Sequence, residues 1–260
     1  MYALLLVNFA QYVADDFRFA SYTMRNGGTI LKWMREFATT IDLSAWFVLL
    51  LLFELETYVW SDEMQERPYV VRLVHSIRLL CCLFLAHSVW AFGITYYDLT
   101  QLAAIPNVTD LCQLVAPDIS FTRNLHYEDL TLANCAALSS DRQFFFVEPA
   151  LVVSDTSGYE LHTNLALGDI VEVIVWLFIL LAIEITIRLQ DREITRGGLM
   201  TTIRIGKRFL YTILWLLAAY WLWLGHYHYT WDAALWILGF MIIGSNLEQW
   251  KEEIEQVGIE

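Results

Sequence analysis

The chain has 260 residues, of which 57% are hydrophobic and 15% aromatic, while only 17% are charged. This composition is more apolar than that of soluble domains, and the apolar residues are concentrated in long blocks, so a membrane protein is predicted. The net charge of −13 argues against nucleic-acid binding, because such proteins need a face rich in Lys and Arg.

The N-terminal region, residues 1–37, is predicted to be amphipathic and to lie at the membrane interface. Its first 13 residues are apolar but too few to span a bilayer. Asp15, Asp16 and Arg18 are expected to end this first helix. The Asn-Gly-Gly sequence at 26–28 then marks a break before the next helix.

Long apolar segments follow, each close to the roughly 20 residues that a helix needs to cross a hydrocarbon core. The predicted spans are 38–60, 76–97, 169–189 and 207–226, with 231–250 as a fifth candidate. The predicted fold is an all-α integral membrane protein built from two repeated hairpins that form a four-helix bundle. Its expected parts are a first transmembrane hairpin at 38–98, an extracytoplasmic cap at 99–168, a second hairpin at 169–230, and a fifth span with an acidic C-terminal helix at 231–260.

The positive-inside rule orients these segments. Lys and Arg are abundant in the short turns at 61–75 and 190–206, which are therefore assigned to the cytoplasm, and scarce in the cap, which is assigned to the outside. We expect a plasma membrane or a bacterial inner membrane. The N-terminal region then also lies outside, although it carries four basic residues: Arg18, Arg25, Lys32 and Arg35.

The predicted cap contains Cys112 and Cys135. An oxidising compartment outside the cytoplasm would allow these thiols to form a disulfide that pins the cap. Apolar and polar residues alternate over 142–163, which predicts a β-hairpin with its turn at residues 155–158.

An internal repeat emerges when the chain is compared with itself at an offset of 130 residues. The shared pattern is an acid, a Trp four residues later and a Glu eight residues further on, which together lie on one face of a helix. The offset aligns Asp42 with Glu172, Trp46 with Trp176, Glu54 with Glu184, and Arg78 with Arg208.

Carboxylates within these apolar helices are the main functional candidates. An ionised carboxylate there is costly unless it is paired, hydrated or protonated, and such groups often mark ion or proton paths. Glu54 and Glu184, together with Asp42 and Glu172 near the opposite helix ends, are therefore the candidate proton or cation site of a channel or transporter.

A purely structural role for these acids is the alternative. Glu184 precedes Arg188 by four residues and could pair with it along the helix, or with Arg208 on the next helix. Glu54 could pair with Arg78 or His75 across the first hairpin. The protein would then be a non-catalytic structural or regulatory subunit of a larger membrane complex.

Motifs of enzymes and of cofactor sites are absent from the sequence: it contains no phosphate loop, nucleophile elbow, HExxH or CxxC pair. An enzyme is therefore not expected, and no cofactor is predicted. For haem, His87 has no second His at matching depth. The residues that remain as metal candidates are His226, His228 and Asp232. The expected partners are the lipid bilayer and either further copies of this chain or other membrane subunits, without nucleic acid.

Overall fold

The computed structural model describes residues 2–65, 67–190 and 197–241, most of which are helical. The helices are α1 (Tyr2–Thr23), α2 (Ile30–Glu36), α3 (Ala38–Glu54), α4 (Asp62–Gln65), α5 (Pro68–Thr100), α6 (Cys135–Leu138), α7 (Thr156–Gln190), α8 (Gly198–Trp223) and α9 (227–241). The strands are β1 (Ser120–Arg123), β2 (His126–Asp129), β3 (Phe144–Glu148) and β4 (Val152–Asp155).

Two compact units divide the chain. The larger unit is Phe9–Ile170, and the smaller unit combines Met1–Asn8 with Val171–Glu260. The division therefore falls inside α1 and inside α7. The larger unit contains the first predicted hairpin and the whole cap, and the smaller unit contains the segments predicted as the second hairpin and the fifth span.

The first predicted hairpin is present as α3 and α5, which pack against each other in the larger unit. α3 is extended by a π-helical turn, Leu55–Val59, so its helical backbone covers nearly the predicted range. α5 is longer than predicted at both ends. It begins at Pro68, whose fixed φ and missing N–H suit the first turn of a helix.

Two helices are long and apolar enough to cross a membrane, namely Pro68–Thr100 and Thr156–Thr186. They confirm the second and third predicted spans. The first predicted span meets the same description only when α3 is taken together with α2, to which it is joined at a 71° bend.

The fourth predicted span is not confirmed, because α8 is not among the helices that are apolar enough. Its first half carries Arg204, Lys207 and Arg208, which lower its hydropathy. Within the described residues, α7 and α8 also lack the packing that joins α3 to α5, so the repeat of two equivalent hairpins is not confirmed. The fifth predicted span is helical as far as residue 241, and its remainder lies outside the described residues, as does the C-terminal helix.

The first helix does not end where the sequence predicted. α1 continues through its acidic residues to Thr23, because Arg18 pairs with Asp15 one turn away at 3.1 Å and the Asp16 side chain is buried within the unit. The break that follows is confirmed. Gly27 has φ +70°, a left-handed conformation that glycine adopts without steric cost.

The cap holds a four-stranded sheet, which the prediction of a single hairpin in an all-α protein had missed. Its strand order is β2-β1-β4-β3. β1 and β2 form one antiparallel hairpin and β3 and β4 another, and the two hairpins join through a parallel pairing of β1 with β4. The second hairpin turns at residues 149–151, where Ala150 has φ +57°.

The predicted disulfide is confirmed, with Cys112 bonded to Cys135. It lies beside the apolar core of the cap. The buried residues of that core are Leu111, Phe121, Leu130, Cys135, Phe144 and Val153.

Residues 155–158, predicted as the hairpin turn, are the start of α7. The Asp155 carboxylate accepts a hydrogen bond from the Gly158 backbone N–H at 2.8 Å and one from the Ser157 hydroxyl at 3.1 Å, as an N-cap does. Asp is favoured both in turns and at N-caps, so the local sequence could not separate the two. α7 thus begins in the cap and runs for 35 residues, about 52 Å.

Removal of the disulfide by Cys112→Ala with Cys135→Ala is expected to lower the free energy of unfolding of the cap by about 2–4 kcal/mol, because the unfolded chain regains loop entropy. Thermal unfolding of the protein in detergent measures this loss. Cys82→Ala, at an exposed free cysteine, is the control and should leave the unfolding temperature unchanged. Equal stability of the double variant and the control would contradict a pinning role.

Candidate functional site

The side of α3 that carries Asp42, Trp46, Leu50 and Glu54 faces the interior of the larger unit. Trp46 and Leu50, its two central residues, are 6% and 7% exposed. At its N-terminal end, Asp42 accepts a hydrogen bond from the indole Nε1–H of Trp46 at 3.1 Å and another from the Ser88 hydroxyl of α5. The spacing of the acid and the Trp therefore has a structural explanation, since the acid satisfies the indole N–H one turn along the helix.

Asp42 is held by neutral donors alone. Among the described residues, no Lys or Arg contacts its carboxylate, and its Oδ1 atom is buried without a hydrogen-bond partner. Both ring nitrogens of His87, the residue before Ser88 on α5, are likewise buried without a partner, and its ring centroid lies 5.7 Å from that of Trp90. A buried carboxylate without a cation is favoured as the neutral acid or as part of a cation site.

At the other end of the hairpin, Arg78 of α5 forms an ion pair with Glu56. Glu56 lies in the π-helical turn that follows α3, where the Trp60 N–H bonds to the Leu55 carbonyl five residues back. Glu54 itself is partly buried and has a contact of its own.

Between Asp42 and Glu56 the buried residues of the hairpin are apolar, and Glu54 is half-buried near the second of these ends. The buried residues of α3 below Asp42 are Leu43, Ala45, Trp46, Leu50 and Leu52. The buried residues of α5 between Arg78 and Ser88 are Cys81 and Leu85. The two polar ends are therefore separated by roughly 20 Å of helix, at 1.5 Å per residue, with an apolar interior between them.

In the smaller unit, Glu184 pairs with Arg188 on the same helix, with Nε and Oε1 2.6 Å apart. Both side chains are more than half exposed, so the pair contributes little stability in water. Arg208 of α8 is exposed and does not bind Glu184. Glu172 is partly buried and has a contact of its own.

The metal candidates near the end of α8 are not arranged as a site. Asp232 of α9 is buried and accepts a hydrogen bond from the Asn8 side-chain amide. The His226 ring lies against that of Tyr229, with centroids 5.3 Å apart. Across residues 2–65, 67–190 and 197–241, no three His, Cys, Asp or Glu side chains converge as metal ligands.

One buried acid was not identified from the sequence. Asp16 of α1 is 5% exposed and accepts hydrogen bonds from the Thr40 backbone N–H at 3.1 Å and the Thr40 hydroxyl at 2.6 Å. It caps the N-terminus of α3, where the local residue Phe37 supplies no side-chain cap. Burial raises the pKa of Asp16 to about 6, which the Thr40 hydrogen bonds oppose and the charges of Asp15 and Glu36 reinforce.

Asp16 and Asp42 bond to opposite sides of α3. Thr40 and Asp42 are two residues apart, which places them about 200° apart around the helix. One side meets α1 and the other meets α5, so the two acids are separate sites.

No known protein family matches the chain, and neither a characterised protein nor a solved structure is significantly similar to it.

Asp16 is expected to make the stability of the larger unit pH-dependent. Its pKa is higher in the folded state than the ordinary value of 3.8, so its contribution is fully present below pH 4 and is lost as pH rises towards 6, by about 3 kcal/mol in all. Asp16→Asn keeps an acceptor for Thr40 and removes the titration.

Thermal unfolding of wild type and Asp16→Asn between pH 4 and pH 7 measures the difference. The variant should gain stability relative to wild type as pH rises. Glu63→Gln, at an exposed acid of the same unit, is the control. A constant difference between Asp16→Asn and wild type across this range would contradict the assignment.

Proposed function

We propose that this chain is a non-catalytic, non-transporting subunit of a membrane assembly, which carries a disulfide-pinned cap on transmembrane helices. The observation that carries the proposal is the arrangement of the first hairpin: Arg78 and Glu56 neutralise each other at one end, Asp42 bonds to Trp46 and Ser88 at the other, and the interior between them is apolar. An ion path needs polar groups or water along its length.

A partner helix is suggested by the outer face of α5. Exposed or half-exposed residues recur there at alternating steps of four and three, which is the spacing of a helix–helix packing seam. Two of them, Ala86 and Gly93, are small, so a second helix could approach closely. The stripe consists of Leu79, Leu83, Ala86, Trp90, Gly93 and Tyr97.

The proposed orientation keeps the cap outside and the turn 61–75 in the cytoplasm. The basic residues of the N-terminal region oppose the positive-inside rule, and their contacts supply a reason. Arg25 binds Asp129, Lys32 binds Glu148 and Arg35 binds Asp98, so acids of the cap and of the adjoining end of α5 neutralise them. Paired in this way, they can lie on the same side of the membrane as the cap. Arg192 and Arg196 of the second turn lie outside the described residues.

A second candidate function is favoured by Asp42 alone. A buried carboxylate with an unpartnered oxygen and no basic neighbour can take up a proton or a cation. A transport role would then use Asp42 at the α3–α5 interface, where Ser88 of α5 meets it. In this case the pathway would have to be completed between copies of the chain, since the interior of the hairpin is apolar.

Reconstituted liposomes distinguish the two functions. We expect proton and monovalent-cation flux through the purified wild-type protein to equal that of protein-free liposomes, and Asp42→Asn to change nothing. Flux in wild type that Asp42→Asn abolishes, while the matched Glu184→Gln variant retains it, would overturn the subunit proposal in favour of transport.

Photo-crosslinking in native membranes tests the partner helix. A photoreactive amino acid at Leu83, within the stripe, is expected to give a discrete protein adduct. The same residue at Leu80, which is 50% exposed within the predicted span and lies about 100° around α5 from Leu79, should give lipid adducts. Lipid adducts alone at both positions would contradict a helical partner on this face.

A further inference from the structure

The short helix α2 has two chemically distinct sides. At 100° per residue, Ile30, Leu31, Trp33 and Met34 fall on one side, and Lys32, Arg35 and Glu36 fall on the other. The apolar side is open: Ile30 is 81% exposed, Leu31 54% and Trp33 43%. Exposed apolar groups on one side of a helix mark a surface that something apolar covers.

The polar side of α2 is bound within the same unit. Lys32 Nζ lies 2.5 Å from a carboxylate oxygen of Glu148 on β3. The Glu36 carboxylate accepts a hydrogen bond of 2.5 Å from the Thr23 hydroxyl at the end of α1. The cap and the end of α1 therefore occupy this side of α2, and a partner on the opposite side meets hydrocarbon and indole groups.

The bend between α2 and α3 gives the direction of that open side. The two helices meet at 71°, so a membrane-spanning α3 places α2 nearly parallel to the bilayer plane. The corner is aromatic: Phe37 stacks on Trp33 with ring centroids 5.5 Å apart and meets the edge of Phe17 at 4.9 Å. Aromatic rings of this kind concentrate at membrane–water interfaces.

We propose that α2 is an interfacial helix that lies in the plane of the membrane surface beneath the cap, with Ile30, Leu31 and Trp33 in the lipid and Lys32 bound to the cap. The occupant of the open side is the acyl–headgroup boundary of the bilayer and not another protein, because α2 and α3 together are apolar enough to enter a membrane. The cap is thereby fixed at a defined height above the bilayer. This inference does not depend on the proposed function.

Depth measurement with a spin label tests the proposal on the full chain. The free cysteines Cys81 and Cys82 are replaced by Ala, the disulfide is kept, and a nitroxide is attached at Leu31→Cys. The matched control is Leu132→Cys, an exposed leucine of the cap that is 79% accessible. The proteins are reconstituted in phosphatidylcholine–phosphatidylglycerol vesicles, and collision rates with oxygen and with a water-soluble nickel chelate are measured.

The label at Leu31 is expected to collide with oxygen several-fold more, relative to the nickel chelate, than the label at Leu132. Equal nickel accessibility at the two positions would overturn the proposal. A second label at Ile30→Cys guards against a local disturbance and should report the same depth as Leu31. A nitroxide immobilised and shielded from both reagents at Leu31 would indicate a protein partner and would also overturn the proposal.

Discussion

The ion pair between Lys32 and Glu148 joins the helices of the larger unit to the cap. A Lys–Glu pair that is only partly exposed must neutralise itself where water is scarce, so its two partners fix each other's position. Lys32 lies on α2, and α2 leads through Phe37 into α3, so this contact links the cap to the first predicted span. Arg25 with Asp129 and Arg35 with Asp98 strengthen this junction at its rim.

Charge neutralisation also stabilises one end of the first hairpin. Arg78 and Glu56 meet where the helices approach water, and the segment between them and Asp42 carries apolar residues inside. Asp42 departs from this pattern, since neutral donors hold it and one of its oxygens is unpartnered. It is therefore the residue on which the choice between a structural and a proton-binding role depends.

The repeated acid–Trp pattern shows how a local interaction can resemble a functional motif. In the first copy, the indole N–H of Trp46 donates to Asp42 one turn earlier. Such a contact needs only two residues on one helix, so a recurrence elsewhere requires neither a shared fold nor a shared pathway. The helices that carry the second copy also pack differently, since Trp176 of α7 lies against Phe240 of α9, with ring centroids 5.4 Å apart.

The sequence by itself determined the features that depend on local chemistry. The apolar length of α5 and α7, the break at Gly27, and the disulfide between Cys112 and Cys135 all follow from residue type and short spacing. Only the tertiary structure decided which groups meet across distant segments. Asp16 caps α3 from another helix, β1 pairs with the remote β4, and Glu56 pairs with Arg78 of the next long helix. Such contacts bring together segments that are distant in the chain, and they leave no periodic signal in the sequence.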